Sequence, residues 1–82
     1  MADEERQHML AELERLKAAG EKDYDDMYEA HSARDAAVCY SSAKDNFCDA
    51  IGLAERLGMK DEAEALTNRL MHIKAVFRSQ FS

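Results

Sequence analysis

Three histidines and a run of acidic residues are the side chains of this chain that could hold a metal ion. Glu5 and His8 stand three residues apart, the spacing that places a carboxylate and an imidazole on one face of a helix in di-iron sites. Such a site needs a second pair, but the residues three before His31 and His72 are a tyrosine and an arginine. We therefore predict no metal or other cofactor. One alternative stays open, a small metal-dependent or catalytic bundle that uses His8, His31 and the acidic residues.

The acidic residues crowd together at Asp23, Asp25, Asp26 and Glu29. A calcium-binding EF-hand loop that began at Asp23 would need glycine at its sixth position and glutamate at its twelfth. Those positions hold a tyrosine and an arginine. We interpret the cluster as the solvated face of a helix. Its other use would be to attract a basic partner, which raises the association rate more than the affinity.

The two cysteines, Cys39 and Cys48, are nine residues apart. On one helix, steps of about 100° place them on opposite faces and roughly 13 Å apart along the axis. They can therefore neither form a disulfide with each other nor bind one metal ion, and we expect both to be small buried thiols. Glycine-rich phosphate loops, nucleophile elbows and zinc-ligand pairs are absent from the sequence. These observations predict that the protein is not an enzyme.

The chain has 82 residues and a formal net charge of −6, which is unevenly distributed. The first 35 residues carry eleven acidic and five basic side chains, whereas no acidic side chain follows Glu64. An acidic chain without a long basic stripe is a poor candidate for binding nucleic acid or an anionic membrane. No apolar run is long enough for a membrane span, and the N-terminus lacks the basic and apolar regions of a secretory signal. The sequence therefore predicts a cytoplasmic protein.

The composition predicts an all-α protein, since there are no prolines, only three glycines and many strong helix formers. We expect one domain over residues 1–82, a small antiparallel bundle of three long helices and one short helix. The first long helix should span 3–19 and end at Gly20, a natural C-terminal stop. The short helix should span 22–30. It is too short to be stable alone, so it must pack against the others.

The other two helices should form a long antiparallel hairpin. Ser32 and Asp35 resemble a capping box and predict a helix from there to about Leu57. Gly58 then predicts a Schellman ending, and the last helix begins near Lys60. Apolar residues recur at steps of three and four along these helices. They predict a core formed by Leu13, Leu16, Tyr40, Phe47, Ile51, Leu66, Leu70, Ile73 and Phe77.

Residues 40–70 of this hairpin resemble a tetratricopeptide-type helical hairpin. Ala43, Phe47 and Ala50 have the spacing of that family's alanine, aromatic and alanine positions, and Leu57-Gly58 is similar to the passage into its next helix. The chain departs from the family pattern at the positions where glycine, tyrosine and proline are usual. The resemblance implies a repeat-like hairpin that binds peptides or proteins.

Two surfaces are candidates for contact with another protein. Gly52 lies within the helix predicted from Ser32 to about Leu57, in line with Ser41 and Cys48, and small side chains allow another helix to approach closely. We expect that helix to belong to this chain. The second surface is the C-terminal segment, where aromatic residues continue close to the end of the chain. The predicted contact residues there are Met71, Val76, Phe77, Arg78 and Phe81.

From these observations we expect a small helical protein–protein interaction module that acts as an adaptor, a regulator or a homodimerising accessory protein. The partner would be a protein, either a second copy of the chain or a different one. Nucleic acid and membrane are not expected partners. The sequence does not decide whether the C-terminal aromatic residues are covered by the chain itself or by a partner.

Overall fold

A computed structural model describes residues 2–81 and contains three helices, α1 (Asp3–Glu29), α2 (Ala33–Arg56) and α3 (Lys60–Phe81). No strand occurs among these residues. Each connection is three residues long, so successive helices run antiparallel in an elongated bundle of 46 × 18 × 13 Å. The all-α class and the α2–α3 hairpin are confirmed. The predicted count of four helices is wrong.

The predicted helix end at Gly20 does not exist. The segments expected at 3–19 and 22–30 form one continuous helix, α1, which has 27 residues. Gly20 is buried, and a Cβ atom added to it would lie 2.7 Å from Cε2 of Phe47. Glycine thus lets the Phe47 ring of α2 reach the backbone of α1. Within a helix, glycine costs about 1 kcal/mol relative to alanine, which is too little to end a helix that packs along much of its length.

Both ends of α2 follow the prediction. The Oγ of Ser32 accepts a hydrogen bond from the backbone N–H of Asp35 at 3.1 Å, which satisfies one of the free donors at the start of α2. At the other end, Gly58 adopts a φ of +74°, and the N–H of Met59 donates to the carbonyl of Ala54 at 2.9 Å. That bond and the positive φ define a Schellman ending.

The core lies along α2, which packs closely against both other helices. Its buried face carries four alanines, and their small side chains let α1 and α3 approach. The largest fully buried side chains are Phe47, Leu13, Met27 and Ile73. Burial of each large apolar side chain contributes about 1.5–3 kcal/mol, so these side chains anchor the bundle.

The predicted core is confirmed in part. Five of its members are buried, namely Leu13, Leu16, Phe47, Leu66 and Ile73. The other four are partly buried and pack against the core, namely Tyr40, Ile51, Leu70 and Phe77. Among residues 2–81, no helix combines the length and the apolar character that crossing a membrane requires.

Candidate functional site

A cluster of charged and aromatic side chains joins α1 to α3. Arg69 donates from Nε and Nη2 to the two carboxylate oxygens of Glu21, both at 2.8 Å. These hydrogen bonds lower the pKa of Glu21 and raise the pKa of Arg69. The Arg69 guanidinium also lies 4.9 Å from the ring centre of Tyr24, a cation–π contact. The sequence prediction missed this cluster, because its residues are far apart in the chain.

Tyr24 is buried at the centre of the same cluster. Its hydroxyl lies 3.4 Å from Nε2 of His72, and its ring centre lies 5.2 Å from that of Tyr28. Burial raises the pKa of Tyr24, and its contact with Tyr28 adds to this rise. His72 itself is exposed. Because the charges of the cluster satisfy one another, we interpret it as a brace between α1 and α3.

The acidic run is only partly the solvated surface that was predicted. Asp23 is half-buried and accepts hydrogen bonds from Oγ of Ser42 at 2.8 Å and from Nδ2 of Asn46 at 2.7 Å. It therefore links α1 to α2. Asp26 pairs with Lys22 at 3.2 Å, and the other two members of the run are exposed. The prediction failed at Asp23 because the sequence alone does not show which side of α1 packs against α2.

The structure does not bring the candidate metal ligands together. His8 lies in the second turn of α1 and His31 just beyond its other end. At about 1.5 Å per residue, they are some 30 Å apart. Within residues 2–81, no three histidine, cysteine or acidic side chains are arranged so that they could hold a metal ion.

The two cysteines differ from the prediction that both are buried. Cys48 is exposed, and Cys39 is half-buried near α1. Burial raises the pKa of the Cys39 thiol, and the carboxylates of Asp26 and Asp23 add to this rise. Cys48 is exposed because it lies on the side of α2 that faces solvent.

Gly52 was expected to contact another helix of this chain, and that expectation is wrong. A Cβ atom added to Gly52 would have no heavy atom within 4 Å outside its own neighbourhood. Ser41 and Cys48, which share its strip, are exposed. Gly20, and not Gly52, is thus the helical glycine at which two helices meet closely.

The five predicted contact residues do not share one exposed face. Phe77 stacks on Tyr40 with ring centres 4.6 Å apart and packs against the core, as do Val76 and Phe81. Met71, by contrast, is 62% exposed. The chain itself therefore covers much of the C-terminal aromatic surface.

Met71 and Arg78, the two exposed members of that set, line a shallow depression with three neighbours. We name this surface the α3 outer face, and it consists of Met71, Lys74, Ala75, Arg78 and Ser79. All five residues belong to α3, and neither α1 nor α2 contributes to the lining. The i, i+3, i+4, i+7 spacing from Met71 to Arg78 is the sequence signal that could have identified this face.

Comparison with protein-family models, with curated proteins and with solved structures finds no match to this chain.

Proposed function

We propose that this protein is a small helical interaction module that binds another protein through the α3 outer face. The observation that carries the proposal is the exposure of Met71 in a depression to which neither α1 nor α2 contributes. A single exposed methionine is ordinary on a protein surface. Here Ala75, Lys74 and Arg78 line the same depression, and the aliphatic stems of lysine and arginine can pack against apolar groups while their charged ends stay in water.

The chemistry of the face suits binding more than catalysis. Methionine adapts its shape to a partner and is common at binding surfaces, and arginine is enriched in interfaces. The resemblance of residues 40–70 to a tetratricopeptide-type hairpin favours the same class of function, although the α3 outer face extends beyond that stretch. The brace between α1 and α3 would support the face by fixing α3 on the rest of the bundle.

Site-specific photo-crosslinking in cells that naturally make the protein would test the proposal. Met71 would be replaced with p-benzoylphenylalanine in one variant and Val38 in a matched control. Val38 is 65% exposed on α2, so both probes stand at exposed apolar positions of a helix. Equal thermal unfolding of the two variants would verify that neither probe disturbs the fold.

We expect a discrete crosslinked adduct with another protein from position 71 and none from position 38. Adducts from both positions in similar yield would indicate nonspecific collision. That result, or the absence of any adduct from position 71, would contradict the proposal.

A further inference from the structure

We infer that a second copy of this chain docks on α2 at Gly52, with the two α2 helices antiparallel around a twofold axis. This surface is separate from the α3 outer face, so the inference does not rest on the function proposed above. Gly52 is exposed near the end of α2, and a Cβ atom added there would have no heavy atom within 4 Å outside its own neighbourhood. Its missing side chain therefore leaves room for the backbone of another helix to approach closely.

Gly52 lines a shallow groove between α1 and α2. Leu16 of α1, which is buried, and Leu53 of α2, which is half-buried, line the same groove. On the α1 side, Nε of Arg15 donates to Oε2 of Glu12 at 2.8 Å, so the charges of these two lining residues balance each other. A helix that packs into the groove would thus not cover an unpaired charge of either residue.

The charges on the α2 side favour a second copy as the occupant. Asp49 precedes Gly52 by three residues and Arg56 follows it by four, so the three residues share one face of α2. Asp49 and Arg56 are exposed and line the groove, and neither forms an ion pair or a side-chain hydrogen bond within residues 2–81. If two antiparallel α2 helices cross at Gly52, Asp49 of each copy lies beside Arg56 of the other. A parallel pair would place like charges together, which opposes association.

Such a patch is complementary to itself, because it is acidic on one side of Gly52 and basic on the other. A twofold dimer uses the same patch on both copies, so one pairing of residues gives two equal ion pairs. The contact spans about two turns of each helix, from Asp49 to Arg56, and an interface of this size is typical of a weak association. We expect dimers at about 100 μM protein and mostly monomers at about 1 μM, so unfolding at low concentration reports on the monomer.

The exposed apolar residue of α2, Val38, stays outside this contact. It lies 14 residues before Gly52 in the sequence, which is about 21 Å along the helix. In the antiparallel dimer, the α2 helix of the other copy runs toward Val38 but ends at Arg56, only four residues past its own Gly52.

Charge reversal tests the inference, with sedimentation velocity over a wide range of protein concentration as the measurement. Asp49→Arg makes both charged positions of the patch basic, and Arg56→Asp makes both acidic. Each variant alone should therefore self-associate about tenfold more weakly than the native chain, or worse, because two attractions become two repulsions. A mixture of the two variants restores both ion pairs between unlike copies, and we expect it to form a heterodimer at least as tight as the native dimer.

Glu55→Arg is the matched control for Asp49→Arg. Glu55 is exposed on another side of α2, and its replacement changes the net charge by the same amount. This variant should dimerise as the native chain does. Far-ultraviolet circular dichroism would verify the fold of each variant, and Asp49→Lys and Arg56→Glu would replace any charge-reversed variant that does not fold.

Three results would overturn the inference. The first is a native chain that stays monomeric at every concentration. The second is a dimer that survives Asp49→Arg or Arg56→Asp, which would place self-association on another surface, such as the α3 outer face. The third is a mixture of the two variants that remains monomeric, which would mean that the loss in each variant did not come from the proposed ion pairs.

Discussion

Replacing Gly20 with alanine should destabilise the protein, although the same change usually stabilises a helix. Alanine is favoured over glycine by about 1 kcal/mol within a helix. At Gly20, however, the new Cβ would lie 2.7, 2.9 and 3.0 Å from three carbon atoms of the Phe47 ring. Ordinary contacts between carbon atoms are about 3.5–4.0 Å, so the ring or α1 must move.

The size of the effect follows from the burial of Phe47. Its side chain is only 1% exposed, so the ring is enclosed and has little room to retreat. Overpacking of a core typically costs about 1–3 kcal/mol. Set against the helix preference of about 1 kcal/mol, the expected result for Gly20→Ala is a loss of about 0–2 kcal/mol.

Gly52→Ala is the matched control, because it is the same change within a neighbouring helix. No heavy atom outside its own neighbourhood lies within 4 Å of the added Cβ, so the helix preference acts alone and should stabilise the protein by about 1 kcal/mol. The free energy of unfolding should therefore differ by about 1–3 kcal/mol between the two variants. Urea unfolding followed by far-ultraviolet circular dichroism measures this difference, provided that the slopes agree.

A stabilisation by Gly20→Ala as large as that by Gly52→Ala would refute the reasoning, because it would mean that Phe47 does not touch the α1 backbone. A double-mutant cycle with Phe47→Leu locates the cause. The smaller side chain should relieve the overpacking, so we expect a coupling free energy of about 1 kcal/mol or more between positions 20 and 47. Additive effects would show that the two residues do not meet.

Three further predictions concern a helix cap, a thiol and an ion pair. Ser32→Ala removes the acceptor at the start of α2 and should lower the free energy of unfolding by about 1 kcal/mol in urea titrations; an unchanged midpoint would contradict the cap. Cys48 is exposed, whereas burial raises the pKa of Cys39. Near neutral pH a thiol reagent should therefore modify the single-cysteine variant that keeps Cys48 faster than the variant that keeps Cys39. Equal rates of modification would contradict the difference in burial between the two thiols. The pKa of Glu21 is lowered in the folded protein by Arg69, so its stabilisation is present above the unfolded pKa of about 4.3 and is lost as the pH falls through the folded pKa. Because both side chains are more than one-third exposed, the ion pair contributes less than about 1 kcal/mol. The free energy of unfolding should therefore fall slightly less steeply on acidification in Glu21→Gln than in the native protein. Identical dependence on pH in the two proteins would exclude a stabilising ion pair.

The parts of the fold that the sequence predicted correctly are those encoded by short-range chemistry. Ser32 caps α2 through a bond to a residue three positions later, and Gly58 ends the helix through its own backbone conformation. Such features involve neighbours in the chain and are visible in the sequence. The apolar spacing along α2 and α3 similarly gave part of the core, because the helical repeat fixes which residues share a face. Phe47, Leu66 and Ile73 are buried, whereas the other predicted core residues of these two helices are partly buried.

The incorrect predictions concern residues whose role depends on a distant partner. Gly20 looks like a helix stop until Phe47, 27 positions later, is placed against it. Cys48 was predicted to be buried and is exposed, whereas Asp23 was predicted to be solvated and is half-buried. Both predictions failed because the packing of the whole bundle determines which side of a helix is covered. Two residues of the α3 outer face, Met71 and Arg78, were among the predicted contact residues, but the sequence alone did not separate the core-facing aromatic residues from the exposed side of this segment.

The account is tested most directly by measuring the affinity of this chain for the partner protein that is crosslinked to position 71. Isothermal titration calorimetry would compare the native chain with Met71→Gln/Ala75→Gln and with Val38→Gln. If the α3 outer face is the binding surface, the double variant should bind about fivefold more weakly or worse, since truncating a central contact costs more than about 1 kcal/mol. Val38→Gln should bind as the native chain does. Equal affinities of the native chain and the double variant would contradict the account.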